Sequence, residues 1–157
     1  MKKFTAILST ALLGIVATTA TASERPDVYV VQFRADDCAT CGVMESQLDN
    51  AMNMVRSSKV ELVTVDTSNP LKWEVSAHTA FDRNITPQFN KWVGLTGFVA
   101  VIDRQSRRTI GCVSDKQDAY KMANLIKSAA GLPHDRAVSN RLIQFKCPAA
   151  HNIDPGK

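Results

Sequence analysis

Apolar residues fall along this chain in short blocks whose period shifts between two and nearly four, and each shift marks out an element. Val28-Tyr29-Val30-Val31-Gln32-Phe33 is an almost continuous apolar run, the pattern of a strand covered on both faces. Beyond it, Met44, Leu48, Met52 and Val55 recur at i, i+4, i+8 and i+11, with Glu45, Gln47, Asp49 and Asn50 between them. That spacing predicts an amphipathic helix lying on a sheet. Val60-Glu61-Leu62-Val63-Thr64-Val65 alternates and stops at the turn cluster Asp66-Thr67-Ser68-Asn69-Pro70, which predicts a second strand. A strand, helix, strand unit makes these two strands parallel, with a right-handed crossover. A less regular stretch with Trp73, Val75 and Phe81 comes next, then Thr86-Pro87, read as an N-cap followed by proline at the first helical position. Trp73 and Trp92 are expected in the core.

The second half closes the sheet. Phe98-Val99-Ala100-Val101-Ile102 is the continuous apolar run of a buried strand, and the polar turn Asp103 to Ser106 joins it to Thr109-Ile110-Gly111-Cys112-Val113 as an antiparallel hairpin. Ser114 and Gln117 have capping-box spacing, and Ala119, Met122, Ala123, Ile126 and Ala130 mark one helical face. Gly131 and Pro133 stop that helix, so the core domain is expected to end near Leu132. Residues 133–157 are an extension, with a short helix expected around Arg136 to Phe145 and a disordered end from Ala149 to Lys157. No internal repeat interrupts this series.

The N-terminus changes what counts as structure. Lys2 and Lys3 precede an uncharged, mostly apolar stretch from Phe4 to Val16, and Ala20-Thr21-Ala22 offers the small-x-small pattern of a signal peptidase site. Residues 1–22 are therefore expected to direct export to the periplasm and to be removed. The apolar stretch is shorter than the roughly 20 residues that span a bilayer, so no stable membrane span is expected after cleavage. Taking 22 residues from 157 leaves 135, enough for one domain with an ordinary core, residues 23–132 plus the extension. The formal charge of +4 rests on 19 basic and 15 acidic residues, and loss of Lys2 and Lys3 lowers it to +2. That weak, scattered balance argues against a nucleic-acid partner. Arg104, Arg107 and Arg108 cluster at the hairpin turn and are read as a solvated tip.

The candidate chemistry lies in Cys38-Ala39-Thr40-Cys41, between the first strand and the first helix of an exported chain. Four cysteines allow three pairings, and spacing alone does not choose among them. Cys38 and Cys41 are three apart at a helix start, on one face of the first turn, close enough to bridge with little backbone movement. So short a loop adds little stability, which favours a redox-active pair over a structural one. Cys112 and Cys147 are left for each other.

The order strand, cysteine turn, helix, strand, helix, hairpin and closing helix resembles the thioredoxin fold over residues 27 to 131. Phe33-Arg34-Ala35-Asp36-Asp37-Cys38-Ala39-Thr40-Cys41 is similar to the active-site segment of periplasmic thioredoxin-like reductants, and Phe98 to Asp103 with Ile110 to Ser114 is similar to the hairpin that closes the family's sheet. The resemblance implies an α/β fold with a central mixed four-stranded sheet flanked by helices. It implies disulfide exchange with protein thiol or disulfide substrates and a redox partner protein, without a cofactor. Cys38 is the expected nucleophile, stabilised by the helix N-terminus, and Cys41 the resolving thiol. Thr96 and Gly97 fall where the family binds substrate backbone.

Three positions depart from the family pattern. Asp37 replaces the tryptophan before the first cysteine and, with Asp36, opposes thiolate formation. Gln32 replaces a buried carboxylate and cannot take the resolving proton. Gly97 stands in the cis-proline slot, where a cis bond without proline costs about 3 kcal/mol; a different alignment gives the role to Pro87. Ala39 and Thr40 add no positive charge, so the expected direction is reduction or isomerisation. The same alignment puts Cys112 on the loop after the fourth strand, where its bond to Cys147 serves either as a structural bridge tying down the extension or as a relay to Cys38.

Two other classes of function compete. Copper carriers of ferredoxin-like fold also hold two cysteines three apart after a first strand, but they end on a strand where this chain ends on a helix. A four-cysteine zinc site lacks a second close-spaced pair, and His78, His134 and His151 are isolated, so no metal site is expected. A noncatalytic thioredoxin-like binding module, such as an assembly factor of a secretion or conjugation apparatus, is the third reading.

Overall fold

The structure is a computed structural model that describes residues 25–142 and 146–150; the expected signal segment with residues 23–24, residues 143–145, and residues 151–157 with His151 and most of the end expected to be disordered, lie outside the described residues. β1 (Val28–Arg34) is the axis of the fold. It pairs in parallel with β2 (Val60–Asp66), Val28 opposite Val60, and antiparallel with β3 (Phe98–Asp103), Phe33 opposite Phe98. β3 pairs antiparallel with β4 (Thr109–Ser114), which gives one mixed sheet of order β2-β1-β3-β4.

Strand alternation sorts the core into two layers. Val28, Val30, Val99, Val101 and Val113 face α1 (Cys41–Val55), and with it the later helix carrying Met122, Leu125 and Ile126. Tyr29, Val31, Phe33, Phe98, Ala100 and Ile102 face the opposite layer, with Ile85, Phe89 and Trp92. Because neighbours lie on both sides of β1 and helices on both faces, its sequence is apolar without alternation. The turn after β3 is closed by Asp103, whose carboxylate accepts the Ser106 amide at 2.6 Å.

The stretch expected to be irregular is helix α2 (Pro70–Asp82). Asn69 caps it, accepting the Lys72 amide at 3.0 Å, and Pro70 occupies the first turn. Its inward residues are the small Ser76 and Ala80, whereas Leu71, Trp73, Val75 and Phe81 are exposed. Trp73 is thus not a core residue; Trp92 is fully buried. α3 (Thr86–Trp92) starts one residue earlier than its proline signal suggests. The Ile85 carbonyl already accepts the Gln88 and Phe89 amides, each at 3.0 Å, so Thr86 lies inside the helix.

α4 (Ala119–Ala129) is capped by Asp118, which accepts the Lys121 amide at 2.9 Å. Ser114 and Gln117 close the turn ahead of it, the Ser114 amide donating to Gln117 Oε1 at 2.7 Å, so they are not that helix's box. Gly131, at φ +65°, ends the segment in the left-handed region. α5 (Arg136–Leu142) follows, its start held by Asp135, which accepts the Ala137 amide. Residues 146–150 then lie against the opposite layer: Cys147 is bonded to Cys112, and the buried Trp92 indole N–H donates to the Pro148 carbonyl at 3.0 Å. Cys112 lies within β4, opposite Ala100, and not on the loop beyond it.

Candidate active site at the start of α1

Buried Ala35 anchors the chain as it leaves β1, and Asp36 and Asp37 turn it outward. The Cys38 amide donates to the Ala35 carbonyl at 3.3 Å, and the Cys38 carbonyl accepts the Cys41 amide at the same distance. Two such tight turns in succession fold the segment back before the helix begins. The helix itself starts at Cys41, so the two cysteines do not share a helical turn; Cys38 lies in the loop just ahead. They are disulfide-bonded, with Cα atoms 5.4 Å apart. Cys38 is half-buried and reachable, whereas Cys41 is 3 % exposed.

Gly97 closes the site from the β3 side. Its amide donates to the Phe33 carbonyl at 2.9 Å, which holds the loop before β3 against the end of β1. With φ at +81°, Gly97 adopts a conformation that side chains disfavour. A Cβ there would lie 2.7 Å from Thr40 Oγ1 and 3.5 Å from Cys38 Sγ. The backbone therefore approaches the cysteines this closely because no side chain intervenes. No cis peptide bond occurs among the described residues, and Pro87 is exposed in the first turn of α3. Thr96 makes no backbone hydrogen bond among the described residues.

A charge cluster gathers at the ends of β1 and β2, beside the start of the cysteine loop. Gln32, 6 % exposed, donates from Nε2 to Glu45 Oε1 at 3.0 Å, so a carboxylate one helical turn beyond Cys41 partners the amide. Arg34 reaches the same oxygen at 2.7 Å and pairs with Asp36 and Asp66; Lys72 bridges Asp36 at 3.0 Å and Asp66 at 3.3 Å. Burial disfavours the charged form of Asp66, but hydrogen bonds from Ser68, Lys72 and Arg34 outweigh it and hold this carboxyl at about 2. Asp36 is held below its ordinary value first by Lys72, which is itself raised by Asp36, and the hydrogen bond to Glu45 raises Arg34. Of the two carboxylates expected to oppose the thiolate, Asp36 is therefore offset by cations. Asp37, exposed beside Cys38, forms none of these bonds.

A cleft of about 520 Å³ opens beside Cys38, walled by Asp37, Thr67, Trp73, Val93 and Thr96. Trp73 is the wall that sequence reasoning missed. It is 46 % exposed and meets the buried Phe89 edge-on at 5.7 Å. The signal that could have found it is Asn69-Pro70, a helix start that makes Trp73 a first-turn residue near the cysteine loop.

The remaining polar candidates lead elsewhere. His78 is exposed near Glu74 at 3.9 Å, and His134 meets the Leu132 carbonyl at 2.8 Å. Among the described residues no group of three or more His, Cys, Asp or Glu side chains is placed to hold a metal ion, and no helix is long and apolar enough to cross a membrane. Compared with known proteins, the chain matches no family model, no curated protein and no solved structure.

Proposed function

We propose that this chain is an exported thiol-disulfide oxidoreductase of thioredoxin-like fold, acting on protein substrates through Cys38 and Cys41 as a reductase or isomerase. The observation that carries this reading is the pairing of a reachable Cys38, in the loop leading into α1, with a buried Cys41 one step inside the helix. The order of elements and the sheet order β2-β1-β3-β4 support the fold reading. The pattern of residues 1–22 supports export to the periplasm.

In the reduced protein, the Cys38 thiolate attacks one sulfur of a substrate disulfide, and the other substrate sulfur leaves as a thiolate that takes up a proton. Cys41, after losing its proton, attacks the Cys38 sulfur of the mixed disulfide and releases the second substrate thiol. Two protein thiols are oxidised to a disulfide while one substrate disulfide is reduced to two thiols. An external dithiol reductant restores the starting state. The unneutralised Asp37 and the absence of a cation at Ala39 and Thr40 work against a strongly stabilised Cys38 thiolate, which supports the reducing or isomerising direction.

Insulin reduction by dithiothreitol tests the proposal. The wild-type protein is expected to accelerate precipitation of the insulin B chain, and Cys38→Ser to return the rate to that of buffer. Wild-type protein that gives no acceleration overturns the assignment in favour of a noncatalytic binding module, in which the two cysteines only close a turn.

A further inference from the structure

Resting on that oxidoreductase reading, we infer that the cleft beside Cys38 selects extended polypeptide segments whose reacting cysteine has a large apolar side chain on one flank and a basic side chain on the other. Trp73 receives the first and Asp37 faces the second. Both line the same cleft as Cys38, and neither forms or breaks a bond in the exchange.

Trp73 is built to be a platform. α2 turns only small residues inward and rests on its Asn69 cap, so the exposed indole is not a displaced core residue. Its edge-on contact with buried Phe89 supports one side of the ring and leaves a free surface on which an apolar side chain can settle. Val93, Gly94 and Thr96 also line the cleft, and the Thr96 backbone is unpaired among the described residues, so an extended chain has groups to meet.

The charge of the cleft is equally specific. Lys72 and Arg34 are committed to Asp36 and Asp66, and among the described residues no lysine or arginine lines the cleft and Asp37 is its one charged wall residue. When Cys38 attacks, negative charge develops on the departing substrate sulfur close to that carboxylate. A lysine or arginine beside the substrate cysteine offsets the repulsion, and an acidic flank adds to it.

The test uses the reduced full chain and short peptides, each with one cysteine held as a mixed disulfide with 2-mercaptoethanol. Exchange leaves the protein disulfide, the peptide thiol and 2-mercaptoethanol, and the rate of peptide-thiol release is the readout. A Phe-flanked peptide is expected to react about five- to tenfold faster than its Ala counterpart. That ratio falls towards one in Trp73→Ala and survives in Trp73→Phe. A Lys-flanked peptide outpaces a Glu-flanked one by roughly threefold at low salt, a preference lost in Asp37→Asn and screened at high salt. Equal rates for the Phe and Ala peptides with wild-type protein, or a preference unchanged in Trp73→Ala, overturn the inference. Bis(2-hydroxyethyl) disulfide separates the two levels of the argument. If the wild-type protein reduces it without any peptide preference, the cleft assignment alone fails; if it reduces neither, the oxidoreductase reading fails and the inference with it.

Discussion

Gly97 is the residue on which the shape of the site most depends. Two separate constraints act there: a φ of +81° and a would-be Cβ 2.7 Å from Thr40 Oγ1. The first makes any side chain strained, at about 1 kcal/mol for alanine. The second adds a steric cost of similar or larger size, because the loop is tied to β1 through the Phe33 carbonyl and cannot easily back away. Gly97→Ala is therefore expected to lower stability by about 2–3 kcal/mol, a fall in Tm of several degrees. Thr40→Ala removes the atom nearest the new methyl, so the cost of Gly97→Ala in that background should drop to about that of the backbone strain alone. Equal costs in the two backgrounds, measured by thermal unfolding, would show that the loop does not press on Thr40. At this scale the residue types were legible: two cysteines three apart marked a candidate site, and the structure joins them in a disulfide. What a sequence conceals is the pairing of charges, since Asp36 meets Lys72 across 36 positions and its neutralisation is a matter of fold.

At the scale of elements, Asp66 shows how the site is buttressed. It ends β2, Arg34 ends β1 and Lys72 lies in the first turn of α2, so one carboxylate ties three elements together. Its folded value of about 2 lies below the ordinary 3.8. The stability it contributes is therefore fully present above the ordinary value and is lost as pH falls through the folded one, over the window from about 4 to 2. Urea unfolding should find Asp66→Asn destabilised by on the order of 2 kcal/mol at pH 6, with the gap to wild type closing near pH 2. A gap that stays constant with pH would place the effect in packing instead of charge. The elements themselves were legible where one face is apolar and the other polar, as in α1, where Met44 and Leu48 are fully buried, and in the β3–β4 hairpin. α2 was not, because its pattern is inverted: small residues go inward and large apolar ones outward, so periodicity found no face to read. Cap positions were missed by one to four residues for a related reason. Ile85 starts its helix through its backbone carbonyl alone, which leaves Thr86 inside the helix, and the carboxylate of Asp118 caps α4 while the more conspicuous Ser114 bonds to Gln117 in the turn ahead.

For the molecule as a whole, the C-terminal segment touches both layers of the core, Val138 on one face of the sheet and Cys147 on the other. α4 and α5 pack with α1 on one face, yet residues 146–150 reach the other, where Cys147 is bonded to Cys112 and Pro148 accepts the Trp92 indole. Trp92 in turn meets Phe33 and Phe98 edge-on at 5.8 and 5.6 Å, and Phe98 follows Gly97 directly, so the tail packs on the same aromatic cluster that supports the cysteine site from behind. Closing a loop of 35 residues restricts the unfolded chain by an amount worth roughly 3–4 kcal/mol. Cys112→Ser/Cys147→Ser is thus expected to lower Tm by roughly 10 °C. Fluorescence separates this loss from a mere change in the unfolded state. The chain has two tryptophans, and in a Trp73→Phe background the emission reports Trp92 alone. If the bridge holds the tail on the cluster, removing it frees the indole N–H from Pro148 and shifts that emission to longer wavelength while the protein is still folded. An unshifted spectrum together with the fall in Tm would mean that Pro148 stays docked without the covalent link, and that the bridge acts on the unfolded chain alone.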